Sequence, residues 1–193
     1  MALAALRTAQ VVNVSELGRD AALSTTTARS YLSLLETSYP IRLLPAFAVS
    51  RGKRLTKAPK LHLRDTALAW HLSGMAAGEA RAHHPLAGAM VESYVVEGVA
   101  SQLALLERPC RLNHWRSHGG AEVDMVVEVG TRLLPVEIKQ GSRIAPSQLL
   151  GLHSFLADYP EQAPFAIVLY GGEEPLRLHE RILALPWHLT LAG

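Results

Sequence analysis

The chain has 193 residues, of which 49% are hydrophobic and 19% are charged. This size and composition are typical of a globular protein with one large domain or two small ones. The formal net charge is only +2, so nucleic-acid binding would have to rest on local basic patches. The single cysteine, Cys110, excludes an internal disulfide and a cysteine-based metal site.

Several motifs are missing from the sequence. No apolar run approaches the roughly 18 residues of a membrane helix, and the opening segment lacks the basic start of a signal peptide. We therefore expect a cytoplasmic chain with no membrane partner. Neither a GxxxxGK[ST] nor a GxGxxG motif occurs, so we expect no ATP site and no ATPase activity from this chain alone.

The first 37 residues predict three helices. Residues 1–11 suit the first helix, Asn13 or Ser15 can cap a second over residues 15–22, and Ser24 caps a third over residues 25–37. Apolar residues recur at three and four positions along the third helix, as one buried face requires. This order is typical of a helix-turn-helix. The residues on its outer face are of types that bind phosphates or base edges: Thr25, Thr26, Thr27, Arg29 and Ser30.

Two strand-like runs follow, at residues 41–49 and 60–64. The stretch from residue 51 to residue 60 is the densest basic one in the chain and contains Arg51, Lys53, Arg54, Lys57 and Lys60. Three helices followed by a hairpin with a basic tip predict a winged helix that contacts double-stranded DNA, with the third helix in the major groove and the wing on phosphates. The alternative is a winged helix that docks onto a protein, with its basic loop merely solvated.

A linker separates this unit from the rest of the chain. Asp65 can cap a helix over residues 66–73, and the stretch GMAAGEARAHHP that follows is small, polar and ends in proline. We read His83 and His84 as loop residues. The predicted organisation is a winged helix-turn-helix over residues 1–75, a linker over residues 76–86 and a second domain over residues 87–193.

The second domain begins with a long helix over residues 88–106. Glu92 and Glu97 interrupt its apolar stripe about 140° apart, so we expect one to point toward the sheet and the other toward solvent. An edge strand at 111–115, a hairpin, a helix at 144–157 and a buried strand at 165–169 follow, and short segments at 176–180 and 187–191 close the chain. The order helix, three strands, helix, strand predicts a restriction-endonuclease-like α/β fold.

The hairpin spans residues 121–141 and turns at Gly130-Thr131. Alternation puts Val123, Met125 and Val127 on one face. With a two-residue turn, residues whose numbers sum to 261 lie opposite each other, so Asp124 faces Glu137. Opposed carboxylates repel by roughly 0.2–1 kcal/mol at an exposed site, and a bound divalent cation would remove that penalty. The alternative is an amphipathic hairpin with a solvated charged face.

Four stretches of the sequence carry a family resemblance: NVSELGRDAALSTTTARSYLSLLE, GKRLTKAPKLHLRDTALAWHL, GAMVESYVVE, and EVDMVVEVG with LLPVEIKQG. In this order they resemble the C-terminal region of a family of predicted AAA-type ATPases, catalogued as domain of unknown function 4143. Such proteins usually carry a P-loop ATPase domain ahead of the winged helix. The resemblance therefore implies that an ATPase domain is missing from this chain, which would be a fragment or the product of a truncated gene.

The second half of that family resembles the PD-(D/E)xK nucleases. By motif, Asp124 matches the first acid of the sheet, Glu137 and Lys139 match the (D/E)xK pair, and Glu92 matches the acid of the preceding helix. The resemblance implies phosphodiester hydrolysis with Mg²⁺ or Mn²⁺ held by the three acids. It implies that Lys139 orients the attacking water or stabilises the developing charge, and that Gln148 contacts the phosphate or the water. Val123 stands where the superfamily name has proline.

Three readings of function remain open at this point. The first is a metal-dependent nuclease directed to DNA by its winged helix. The second is a catalytically inactive module that keeps the nuclease fold and binds DNA or a protein partner for an ATPase. The third is an interaction protein that forms a homodimer through apolar surfaces, motivated by the apolar opening helix.

Overall fold

The computed structural model describes residues 1–48, 57–75 and 79–191. It confirms a mixed α/β architecture and contains two β-sheets. The N-terminal elements are α1 (Ala2–Ala5), β1 (Gln10–Val11), α2 (Val14–Asp20), α3 (Thr25–Thr37), β2 (Ile41–Leu44), β3 (Lys60–Leu63) and α4 (Thr66–Leu72). After a 3-10 turn at Glu79–His83, the chain continues with α5 (Ala87–Ala104), β4 (Cys110–Arg116), β5 (Glu122–Val129), β6 (Arg132–Lys139), a 3-10 turn at Pro146–Leu149, α6 (Leu150–Asp158), β7 (Ala166–Tyr170), β8 (Leu176–His179), β9 (Ile182–Pro186) and α7 (Trp187–Leu191).

The N-terminal helices begin where their capping residues predict. The side chain of Asn13 accepts a hydrogen bond from the Glu16 N–H, and that of Ser24 accepts one from the Thr27 N–H. Each cap satisfies a backbone donor that the first turn leaves free. The helices pack on a three-stranded antiparallel sheet in the order β1-β3-β2, around a core that includes Leu32. Within the described residues, no helix is long and apolar enough to cross a membrane.

The prediction of a single helix over residues 1–11 is wrong. Helix α1 ends at Ala5, and Ala9 takes a positive φ of 59° that a helix cannot continue through. The next residues form β1, in which Gln10 pairs with Leu61 on the edge of β3. Pairing with β3 satisfies backbone groups that a longer surface helix would have bonded internally. The predicted strand at 41–49 is also shorter, because β2 ends at Leu44.

The C-terminal sheet has six strands in the order β4-β5-β6-β7-β9-β8. Strands β4, β5 and β6 are antiparallel neighbours, whereas β6, β7 and β9 run parallel. Helix α5 covers one face through Val95 and Val96, and α6 covers the other through Leu152 and Phe155. The prediction of β4 as an edge strand is confirmed. Strand β9, which lies between β7 and β8, was not predicted.

The β5–β6 hairpin has the predicted register. Met125 pairs with Val136, and each further pair down to Val129 and Arg132 also sums to 261. Gly130 has a φ of +60° at the turn, a conformation that glycine adopts without strain. The predicted single apolar face is only partly right: Met125 packs with α5, whereas Val123 belongs to the core on the α6 side.

Several close contacts join the N-terminal and C-terminal parts. After β2, Ala46 forms a parallel bridge with His114 on β4, and the Phe47 ring packs 5.8 Å from the Phe155 ring of α6. The C-terminal part also contributes to the N-terminal core, in which Ala87 and Met90 at the start of α5 are buried. Helix α5 is therefore a scaffold that both parts share.

Candidate active site at the junction of the two parts

Five ionisable side chains meet where α5 and the C-terminal sheet contact β3. Glu92 comes from α5, Asp124 from β5, Glu137 and Lys139 from β6, and Lys60 from β3. We call this set the acid–lysine cluster. Four of its members are residues that the family resemblance implies for a nuclease site, and the fifth is a lysine that the sequence analysis counted in the densest basic stretch of the chain.

Asp124 lies where β5 and β6 stop pairing through their backbones. The last paired residues are Met125 and Val136, and beyond them Asp124 Oδ2 accepts a hydrogen bond of 2.9 Å from the Ile138 N–H. The carboxylate thus accepts a backbone N–H bond beyond the last paired residues of the two strands, and this bond fixes its orientation. Its other oxygen, Oδ1, is directed toward Lys60.

Lys60 bridges two acids of the C-terminal part. Its Nζ lies 2.5 Å from Glu92 Oε1 and 3.1 Å from Asp124 Oδ1. The exposed fraction of its side chain is 7%, against 13% for Glu92 and 14% for Asp124. A buried ammonium requires such partners, since leaving it unpaired in the interior costs several kcal/mol. The two carboxylates therefore converge on a single cation position, which Lys60 occupies.

The remaining acid of the cluster has its own partner. Lys139 Nζ donates to Glu137 Oε1 at 2.6 Å, two residues along the same strand. Glu137 is 8% exposed. The Glu-x-Lys pair predicted from the sequence thus lies together on the sheet, and the acids that were expected to repel each other are separately neutralised by Lys139 and Lys60.

Burial controls the ionisation of the cluster. Burial and then the charge of Asp124 raise the pKa of Glu92 to about 8, and the same two causes raise the pKa of Glu137 to about 7. Burial lowers the pKa of Lys60, but the charges of Asp124 and Glu92 outweigh it and raise that pKa above its usual value. Glu92 and Glu137 therefore hold their protons to a higher pH than free carboxylic acids do, and the cluster becomes more negative as the pH rises through this range.

The predicted metal ligands do not surround one common point. Within the described ranges, no group of three or more His, Cys, Asp or Glu side chains is arranged to hold a metal ion. Glu92 and Asp124 share a cation position, whereas Glu137 is engaged with Lys139.

A second row of polar contacts runs along α5 beside the cluster. Ser93 Oγ lies 2.8 Å from Thr8 Oγ1 and 3.1 Å from His62 Nδ1, and all three side chains are buried. Burial, followed by the charge of Lys60, lowers the pKa of His62 to about 3, so this ring is neutral. Glu97 accepts a bidentate pair of hydrogen bonds from Arg42 on β2. The expectation that Glu92 or Glu97 points to solvent is therefore wrong, because both bind the N-terminal part.

The predicted DNA-binding residues are only partly within the described structure. Thr25, Thr26, Thr27 and Arg29 are exposed on the first turns of α3, as a recognition surface requires, and Lys57 is exposed just before β3. Lys57 also lines an open cavity together with His114, Arg116 and His118. The wing residues Arg51, Lys53 and Arg54 lie outside the described residues.

Gln148 is engaged with the backbone at the start of a 3-10 turn. Its side chain is exposed, and its Oε1 accepts a hydrogen bond of 2.8 Å from the Ala145 N–H, which caps the 3-10 turn before α6. Sequence reasoning missed Lys60 as a member of the cluster. The alternation of the run KLHL puts Lys60 on the polar face of a strand, whereas the structure buries all four residues, and a buried lysine needs a carboxylate partner.

The sequence matches two family models. Residues 87–190 match "Domain of unknown function (DUF4143)", and residues 1–79 match "Domain of unknown function (DUF8612)". The first of these matches covers more than half of the chain. The chain belongs to the DUF4143 family.

Two curated proteins are similar to this chain. They are "Uncharacterized protein Rv2008c" of Mycobacterium tuberculosis and "Uncharacterized protein Mb2031c" of Mycobacterium bovis, each 36% identical over 177 residues, which is 92% of this chain. The chain spans 38% of the length of each of these relatives. No solved structure matches the chain.

Proposed function

We propose that this DUF4143 chain is a DNA-binding, nuclease-fold module of a longer cytoplasmic protein, and that its acid–lysine cluster hydrolyses phosphodiester bonds with a divalent metal ion. The observation that carries the proposal is the convergence of Glu92 and Asp124 on one cation position beside the Glu137–Lys139 pair. Hard divalent cations take carboxylate oxygens as ligands. The acid-x-lysine pair on the neighbouring strand is what the PD-(D/E)xK resemblance implies.

The carboxylate oxygens of the cluster are suitable ligands for Mg²⁺ or Mn²⁺, but they are now paired with Lys60 and Lys139. Glu92 and Asp124 offer oxygens directed at one point, and Glu137 would join them after leaving Lys139. When bound, the metal would polarise the phosphate and lower the pKa of the attacking water. The second oxygen of Asp124 is held by the Ile138 N–H, so this ligand would keep its orientation.

The other residues have roles that do not require metal contact. Lys139, released from Glu137, would stabilise negative charge on the phosphate oxygens. Gln148, exposed at the start of the α6 region, would contact the phosphate or the attacking water after reorienting from its capping bond. On the N-terminal part, the exposed threonines of α3 and Lys57 would hold double-stranded DNA through phosphate contacts.

An ATPase partner is part of the proposal. The curated relatives are more than twice as long as the segment that this chain matches, which leaves room for a further domain in those proteins. We propose that the module works with an AAA-type ATPase domain in the full-length protein. A homodimer is the other predicted partner, and the elution volume of the purified chain on a sizing column tests it directly.

The direct test of hydrolysis is incubation of the purified chain with linear double-stranded DNA and with single-stranded oligonucleotides in millimolar Mn²⁺ or Mg²⁺. We expect metal-dependent cleavage that falls at least ~100-fold in Asp124→Asn and in Glu137→Gln, because each substitution removes a negatively charged ligand of the metal ion. Glu122→Gln is the matched control. It changes a half-exposed acid on the same strand, paired with Arg116 at 3.0 Å, and should leave cleavage unchanged.

Two results would contradict the proposal. Equal cleavage by wild type and Asp124→Asn would assign the activity to a contaminant. Absence of cleavage in wild type and also in Lys60→Met, across both metals and both substrates, would show that the cluster does not hydrolyse DNA.

The second candidate function is a catalytically inactive nuclease-fold module that binds DNA or a protein partner for the ATPase. The burial of Lys60 between Glu92 and Asp124 favours it, because an internal lysine can replace a metal permanently. This module would bind DNA with the same affinity in the presence of chelator and of Mn²⁺, and it would not cleave it.

A further inference from the structure

We infer that Lys60 is a latch: its ammonium closes the cation position of the acid–lysine cluster, and a divalent cation binds there only when Lys60 leaves. The inference rests on the proposed function of the cluster and adds its regulation. It assigns to the N-terminal part a role in controlling the C-terminal site, beyond contact with DNA.

The first step of the argument is that Lys60 and a metal ion would need the same atoms. Lys60 Nζ contacts Glu92 Oε1 and Asp124 Oδ1, which are the oxygens that converge on the cation position. The other oxygen of Asp124 is already bonded to the Ile138 N–H. Because two positive charges repel strongly at such distances in a buried site, the ammonium and the metal exclude each other.

The second step is that the latch belongs to a different part of the protein from the site it closes. Lys60 is the first residue of β3, the central strand of the N-terminal sheet. The contacts of Ser93 with His62 and of Glu97 with Arg42 hold this sheet against α5 independently of Lys60. They keep the two parts together while the Lys60 side chain exchanges between the cluster and solvent.

The third step concerns the route by which Lys60 would leave. The residues before it, Lys57 and Ala58, line the open cavity that His114 and Arg116 also line. Lys57 itself is exposed. The start of β3 therefore adjoins solvent, and a small movement there would withdraw Lys60 from the cluster without unfolding the sheet.

The main experiment is calorimetric titration of Mn²⁺ into the wild-type chain and four variants. We expect the Mn²⁺ affinity of Lys60→Met to exceed that of wild type at least about tenfold, because the competing charge is gone, whereas Lys60→Arg stays as weak as wild type. The gain should vanish in Lys60→Met combined with Asp124→Asn. Lys57→Met, which removes an exposed lysine three residues earlier, is the matched control and should keep the wild-type affinity.

A second measurement uses the wild-type chain and does not depend on any variant folding. Amine-reactive labelling read by mass spectrometry reports whether Lys60 is accessible. We expect Lys60 to be labelled slowly in chelator and severalfold faster in Mn²⁺, while the labelling of Lys57 stays constant. If Mn²⁺ binds and Lys60 remains protected, the latch is refuted.

The outcomes separate the latch from the proposed function. If wild type and Lys60→Met bind Mn²⁺ equally and both lose it with Asp124→Asn, the cluster is a metal site but Lys60 is no latch. If Lys60→Met gains binding and no variant cleaves DNA, the latch holds and hydrolysis fails. If neither protein binds Mn²⁺, both ideas fail.

Discussion

Replacing Lys60 by methionine should destabilise the fold strongly. Methionine fits the space of the lysine stem, so the main change is the loss of the charge that neutralises Glu92 and Asp124. The lysine side chain is 7% exposed, and removal of one partner from a buried ion pair costs about 3–5 kcal/mol. For a chain of this size each kcal/mol is worth about 2–4 °C, so we expect the melting temperature to fall by about 6–20 °C.

The assay is urea unfolding followed by circular dichroism at pH 7 in chelator, supported by thermal melts. Lys57→Met should change the free energy of unfolding by no more than about 0.5 kcal/mol, because that lysine is exposed. Adding Glu92→Gln to Lys60→Met should recover part of the loss, since one unpaired carboxylate is removed. A loss below about 1 kcal/mol for Lys60→Met would refute the view that Lys60 is a buried counter-ion.

Three further predictions follow from other parts of the fold. Burial lowers the pKa of His114 to about 4, so between pH 6.5 and pH 4 only the unfolded chain gains this proton. The free energy of unfolding should therefore fall over this range, by up to about 1.4 kcal/mol per pH unit. Urea midpoints measured at pH 7 and pH 5 should differ less in His114→Asn than in wild type. Gly151→Ala should lower the free energy of unfolding by about 1–3 kcal/mol, because its Cβ would lie 1.7 Å from a backbone oxygen of β5. Gly88→Ala is the control and should be neutral or slightly stabilising, because its Cβ would have nothing within 4 Å. Equal effects on the melting temperature would refute the close approach of α6 to the sheet. Glu97→Gln should cost about 1–2 kcal/mol, and a double-mutant cycle with Arg42→Met should show coupling; additive losses would mean that the bidentate pair contributes nothing.

Local patterns predicted much of the secondary structure. Helix α3 has the predicted bounds because Ser24 supplies a cap and the apolar residues repeat at the helical period. The hairpin register follows from a two-residue turn at Gly130, since the turn length determines which residues lie opposite. The failure at residues 6–11 is instructive: β1 exists because β3 offers an open edge, and that edge comes from residues some fifty positions later.

The candidate site also combines features that depend on local sequence with features that depend on distant parts of the chain. The sequence alone placed Asp124 opposite Glu137 and put Lys139 beside it, because strand alternation and turn length are local properties. It also identified Glu92 as an acid on an otherwise apolar helix. Those four residues lie in the acid–lysine cluster, but the three acids do not surround one common point, and their chemistry stays a proposal.

Only the tertiary structure decided which cation the acids hold. Lys60 lies 32 residues before Glu92 and 64 before Asp124, and no spacing in the sequence connects them. Periodicity tells which face of a helix or strand is buried, but not which distant element buries it. The packing of β3 against α5 brings a buried ammonium to two buried carboxylates, at the position where the sequence motif predicts a metal ion.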